Sequence, residues 1–185
     1  MFKEEFQPFE FTFLNEMASK SKARKLFDNG LRDLLSVGTY YALQDIHKFL
    51  FEKVFVDAGE LREETLEEEL IKIEKMPQST FDEIVEKFIQ MHHVQPFRKG
   101  NGISMRIWLD CMFKKELWMV VDWREINKLD YQSAIQHSLE DDTEMKRLLK
   151  KALSYDIDNR NLYMQGIDQS YLFEGIKFCK TEDCK

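Results

Sequence analysis

Gly100-Asn101-Gly102 puts two glycines around an amide directly ahead of a helical pattern that carries Arg106. Glycines in such a turn reach backbone conformations closed to other residues, and they let a ligand come close to the free N–H groups and positive dipole end of the helix that follows. The chemistry on offer is anion capture, with phosphate as the natural ligand. Arg106 lies one turn into the helix and off its apolar stripe, with a fork suited to phosphate. Lys99 adds an ammonium to the same loop. Phe97 is expected to anchor the loop in the core. The plainer alternative is a helix that simply starts after a glycine turn, and the tripeptide alone does not separate the two.

Other groups that could do chemistry are weaker. His92 and His93 precede the loop and are candidates for a base, but their place at the end of a helix is that of capping or solvent-facing groups. His47 and His137 are single histidines on helices, read as structural or exposed. With Asp57 and the glutamates of 63–69 they lack the H-x-x-x-H or E-x-x-H spacing of a metal site, so no metal ligand is assigned. The glutamate run reads as a solvated face. Cys111, Cys179 and Cys184 are odd in number and have no close ligand spacing, which fits a reduced, cytoplasmic setting. Cys111 falls in an apolar pattern and is expected in the core, the other two in a polar tail.

These residues must be positioned by helices. Seven glycines and three prolines in 185 residues leave little turn punctuation, and 43% hydrophobic residues suffice for one packed domain. Helices are expected over 21–27, from Gly38-Thr39 to Asp57-Ala58-Gly59 with Tyr41, Leu43, Ile46, Phe49, Leu50 and Val54 inward, and over 63–76 with Leu66, Leu70, Ile71 and Ile73 inward. After Pro77, Ser79-Thr80-Phe81-Asp82 resembles a capping box with Asp in place of Glu. Behind it a helix over 79–93 carries Phe81, Ile84, Val85, Phe88 and Ile89, and one over 101–115 carries Ile103, Ile107, Trp108, Cys111 and Met112, each on one face. Further helices are expected near 123–137, 143–153 and 159–177. The reading is a single all-α domain over 1–185, with an N-terminal arm at 1–16 (Phe2, Phe6, Phe9, Phe11 and Phe13) and a tail at 178–185. The net charge of −7 and pI near 5.2 speak against nucleic-acid binding. No run approaches the roughly 18 apolar residues of a membrane span, and the N-terminus does not read as a signal peptide.

Taken as a whole, Gln95-Pro96-Phe97-Arg98-Lys99-Gly100-Asn101-Gly102-Ile103-Ser104-Met105-Arg106 resembles the signature loop of Fic (filamentation induced by cAMP) domain proteins, usually written H-x-F-x-[D/E]-G-N-G-R-x-x-R. Val37-Gly38-Thr39, Leu43-Gln44-Asp45-Ile46-His47 and Ala58-Gly59-Glu60-Leu61-Arg62 look like the family's upstream landmarks, and Arg106-Ile107-Trp108-Leu109-Asp110 continues the motif helix. Ser170-Tyr171-Leu172-Phe173-Glu174-Gly175 resembles the inhibitory segment of the single-domain, class III members. The likeness covers roughly residues 17–177. It implies a helical fold and a protein adenylyltransferase, which moves AMP from ATP to hydroxyl groups of target proteins. It also implies a C-terminal glutamate, here Glu174 beside Ser170, that pairs with the motif's last arginine, here Arg106, and blocks productive ATP binding.

Three departures bear on activity. Gln95 stands where the family has the histidine that takes the hydroxyl proton, and an amide has no usable basicity; losing a positioned base costs roughly 10²–10⁴-fold. Lys99 stands where an acidic residue would hold Mg²⁺, and an ammonium repels a cation. Ile103 replaces a phosphate-binding arginine and is expected to pack instead. After Arg62 the sequence is about a dozen residues too short for the β-hairpin flap that holds the target chain by strand addition, so the flap is either absent or not represented. No catalytic residue is therefore expected. Lys99, Gly100, Asn101, Gly102 and Arg106 are expected to bind ATP, another nucleotide or another phosphate compound, with Mg²⁺ in question. Ser170 and Glu174 are expected to inhibit, and a target or regulatory protein is a further partner. Two alternatives remain: an active adenylyltransferase with unusual site residues, and a helical interaction module with a vestigial site.

Overall fold

A computed structural model describes residues 10–28, 36–63, 65 and 67–184. The arm's Phe2, Phe6 and Phe9, the stop at Asn29-Gly30, and Leu66 lie outside the described residues. The described chain forms eight α-helices: α1 (Phe13–Asp28), α2 (Tyr40–Phe51), α3 (Glu67–Glu74), α4 (Phe81–Val94), α5 (Asn101–Leu117), α6 (Lys128–His137), α7 (Thr143–Lys151) and α8 (Arg160–Phe173). Two residue pairs, β1 (Val120–Val121) and β2 (Leu153–Ser154), make one antiparallel contact. The all-α expectation holds, and no described helix is long and apolar enough to cross a membrane.

Local chemistry sets the helix ends. Thr39 caps α2 by accepting the Ala42 N–H. Thr80 and Glu83 form a full capping box at α4, so the acidic partner is Glu83, one residue beyond the Asp82 expected. Asn159 caps α8 by accepting the Leu162 N–H. That helix stops at Phe173, short of the expected 177, because Gly175 adopts φ 79°. The Ile176 N–H then bonds the Tyr171 carbonyl and the Gly175 N–H the Leu172 carbonyl, which is a Schellman ending. Glu174 is thereby fixed at the helix end with its side chain free to reach sideways.

Packing revised several inward faces. Helix α5 runs through the middle of the fold against α2, α4 and α8. It is buried nearly all round, with Met105, Leu109 and Phe113 enclosed as fully as Ile107, Trp108 and Met112. The single stripe expected for it was wrong, since a central helix needs apolar residues on every side. Helix α2 ends at Phe51, and it buries Tyr40 while Tyr41 is exposed, because the Tyr40 hydroxyl reaches Glu67 on α3. Ile71 likewise faces out while Leu70 and Ile73 are buried. The chain over 123–137 divides into a 3-10 turn at Trp123–Glu125 and α6.

Among the described residues, α1 and the segment 178–184 are joined by buried charges. Helix α1 begins at Phe13, inside the segment read as an N-terminal arm, and it buries Glu16 and Lys20 completely. Lys20 Nζ pairs with Glu16 at 2.6 Å and with Asp168 of α8 at 2.8 Å, and it also donates to the Cys179 carbonyl. Glu16 accepts the Phe178 N–H, and Asp168 accepts the backbone and hydroxyl protons of Thr181. The tail is thus held on α1 and α8 by charge-assisted bonds, and Cys184 is buried. The sequence shows the tail's charges and those of α1 and α8 without their partners, so it does not reveal these contacts.

Candidate functional site

The loop between α4 and α5 is held from several directions. Gln95 ends α4 in a left-handed conformation (φ 48°, ψ 64°), unusual for a residue with a side chain. Its amide Nε2 donates to the His92 carbonyl at 2.5 Å. Arg62 donates from its backbone to the Pro96 carbonyl and from Nη2 to the Val94 carbonyl. Phe97 is buried as expected, its ring stacked 3.9 Å from the His47 imidazole. His47 Nδ1 accepts the Gly59 N–H, which places the proton on Nε2, and that nitrogen donates to the Lys99 carbonyl at 2.8 Å. Burial pushes the His47 imidazole down to about 4, so it is neutral at pH 7.

Asn101 closes the turn on itself. Its Oδ1 accepts the Phe97 N–H at 2.9 Å, and its Nδ2 donates to the Phe97 carbonyl at 2.6 Å. Gly100 has φ 74°, and a Cβ there would lie 2.7 Å from the Phe51 ring. A side chain at this position is excluded by both conformation and space. Replacing Asn101 by Ala removes two buried bonds and leaves the Phe97 amide unpaired. We expect a loss of about 2–3 kcal/mol in denaturant unfolding, together with faster hydrogen exchange at Phe97.

Helix α5 then begins with no side-chain cap on its first amides, which leaves donors of the kind that bind anions. What lies above them is a carboxylate. A Cβ built on Gly102 would fall 2.2 Å from Glu174 Oε1, so the glutamate reaches from the end of α8 into the space that glycine leaves open. Its Oε1 bonds Arg106 Nη2 at 2.6 Å. Arg106 also donates from Nε to the Ser170 hydroxyl (2.7 Å) and from Nη2 to the Ser170 carbonyl (2.8 Å). The guanidinium is fully buried, with the Tyr131 and Phe173 rings 5.4 and 5.2 Å from its centre. Burial works against its charge, but Tyr131 and Glu174 outweigh this and hold its pKa above the ordinary value.

The arrangement joins Arg106, Ser170, Glu174 and Gly102, four residues singled out from the sequence. Gly100 and Asn101 build the turn rather than line the cleft in front of it. That cleft, about 430 Å³, is bordered by His92, His93, Gln95, Gly102, Ile135, Gln136 and Glu174. Lys99 is exposed and outside this lining, and Ile103 is packed in the core. Sequence reasoning missed Tyr131 and Phe173, whose rings stack 4.7 Å apart beside Arg106. Nothing in their spacing distinguishes them from ordinary core aromatics. It also misplaced His92, which borders the cleft with a buried Nδ1 that has no partner. Burial, then the Arg106 charge, pushes His92 down to about 4. His93 meets the Ser138 hydroxyl, and His137 bonds the Ser133 carbonyl on its own helix.

Beside the loop, the Lys99 ammonium offers no lone pair to a cation, and the cleft carboxylate of Glu174 is tied to Arg106. Between Arg62 and α3 the described residues turn rather than form a strand.

No protein-family model matches the chain. Solved structures do resemble it. The BepC effector of Bartonella tribocorum with bound AMPPNP matches at a TM-score of 0.63 and 18% identity, over 76% of this chain and 85% of that one. The N-terminal Fic domain of a cell filamentation protein of Bartonella quintana, with bound ADP, matches at 0.65 and 19%, over 76% and 83%. The FIC domain of the Bep5 effector of Bartonella clarridgeiae matches at 0.62 and 17%, over 94% and 92%. The chain has the Fic-domain fold.

Proposed function

We propose that this domain binds a nucleotide or related phosphate compound at the start of α5, that Glu174 holds the site closed, and that little or no AMP transfer follows. The observation that carries this reading is the Glu174 carboxylate, bonded to Arg106 at 2.6 Å and seated over Gly102. A carboxylate in that place satisfies the same arginine fork and the same helix end that a phosphate would use. Binding then requires exchange of one anion for another. Similar folds with AMPPNP and ADP support a nucleotide as the ligand class.

Transfer needs a group that accepts the hydroxyl proton. The Gln95 amide cannot, and its Nε2 is already committed to the His92 carbonyl. A second reading, in which AMP is transferred with His92 as base, is favoured by that residue's unpartnered Nδ1 beside the cleft. A group whose conjugate acid has a pKa of about 4 is a weak base for a hydroxyl.

Incubation with α-labelled ATP and candidate acceptor proteins is expected to leave no label on this chain or on the acceptors. Label that disappears in a His92→Ala variant would establish the second reading. Calorimetry with ATP is expected to give weak binding that is indifferent to Mg²⁺, because the site lacks the cation's ligands. No binding by either the wild type or the Glu174→Gly variant would leave only a vestigial site.

A further inference from the structure

Cys179 and Cys184 face each other where the tail is pinned between α1 and α8. Their Sγ atoms are 3.2 Å apart, within contact distance and little more than 1 Å beyond the roughly 2.05 Å of a disulfide bond. The residues between them form a 3-10 turn at Thr181–Asp183. Thr181 is tied to Asp168, and the Cys179 carbonyl to Lys20. The start of the turn is therefore held in place, and Cys184 is folded back onto it by its N–H bond to the Thr181 carbonyl. Cys179 is half-buried while Cys184 is enclosed, so one sulfur is open to a reagent and the other waits behind it. Cys111 is buried on α5.

We propose that Cys179 and Cys184 form a reversible dithiol–disulfide site whose co-reactant is a low-molecular-weight disulfide such as oxidised glutathione. The Cys179 thiolate attacks one sulfur of that disulfide, forming a mixed disulfide and expelling one thiolate. Cys184 gives up its proton and attacks the Cys179 sulfur, which forms the internal bond and expels the second thiolate. The two protons end on the two released thiols. The protein dithiol is oxidised and the small disulfide reduced, with no other reagent. The product is a closed ring at the end of the tail, joined to Glu16, Lys20 and Asp168 by the contacts already present.

The charged groups around the ring set its rate. Burial and the Cys184 thiol push the Cys179 thiol up to about 12; Glu16 on α1 adds to this and Lys20 opposes it. Asp168 on α8 is occupied by Lys20 and Thr181. The attacking thiolate is scarce at neutral pH, so closure is slow and gains speed as pH rises.

The test is titration of the full chain with oxidised glutathione at several pH values, followed by thiol counting and tryptic peptide mapping. The count is expected to fall from three free thiols to one. Trypsin cuts after Lys180, inside the ring, so the peptide with Cys184 should stay joined to the one with Cys179 until a reductant is added. A Cys184→Ser variant should stop at the glutathione adduct on Cys179. Three persisting thiols, an adduct on wild-type Cys179 that never closes, or a bond to Cys111 would each overturn the proposal.

Discussion

Replacing Glu174 by Gly is expected to tighten ATP or pyrophosphate binding by about tenfold to a hundredfold, the range typical of coupling between two competing groups. In the wild type an incoming phosphate must displace a carboxylate that already satisfies Arg106. The variant removes that competitor and opens the space over Gly102, where the carboxylate oxygen now sits. It also leaves a buried guanidinium with Ser170 and Tyr131 as its hydrogen-bond partners among the described residues. Without ligand the variant should therefore melt at a lower temperature than the wild type, and phosphate compounds should raise that temperature by more. Arg106→Ala removes the fork itself and should abolish binding. Equal nucleotide affinity in the wild type and Glu174→Gly, measured calorimetrically, would show that the contact is only a structural link between α5 and α8.

His47→Ala is expected to destabilise the domain by about 4 kcal/mol, from a cavity among aromatic rings plus the loss of its hydrogen bonds to two backbone groups. Those groups are the Gly59 N–H and the Lys99 carbonyl, and the rings are Phe51, Phe55 and Phe97. His47→Phe keeps the volume and should lose about half as much. Acid acts on the same residue. The folded pKa lies near 4, below its ordinary value of 6.5, so the unfolded chain binds the proton more readily. The neutral imidazole's contribution is fully present above about pH 6.5 and is lost as pH falls towards 4, on the order of 3 kcal/mol in all. His92 acts in the same sense. Asp110 acts in the opposite sense: burial raises it to about 7, so its contribution fades as pH rises from 3.8 through 7. The difference between the wild type and His47→Phe isolates the one histidine. That difference should shrink as pH falls from 6.5 and reverse in sign before pH 4 in denaturant titrations, since the contribution lost to acid exceeds the starting difference, and a difference that does not change with pH would contradict the buried, neutral assignment.

The loop and the helices beside it were legible in sequence because their causes are local. Gly100 and Gly102 mark a turn that other residues cannot make or would obstruct, Asn101 bonds a residue four positions away, and the stripe of Ile84, Val85, Phe88 and Ile89 identifies a packed helix face. Gln95, Lys99 and Ile103 are legible one side chain at a time: an amide is not a useful base and an ammonium does not ligate a cation, whatever the fold. The pairing of Arg106 with Glu174 was expected from resemblance, and its geometry follows from where α8 ends. Most of the rest is set by contacts between residues distant in the chain. Tyr131 and Phe173 come to Arg106 from two other helices, and His92 borders the cleft because α4 is packed with that edge inward. Glu16, Lys20 and Asp168 look like solvated charges until three segments meet and exclude water around them. A buried charge is recognisable only with its partner present, because burial without one is too costly to occur. That pairing is made across some 150 residues of chain, a separation on which hydrophobic periodicity carries no information.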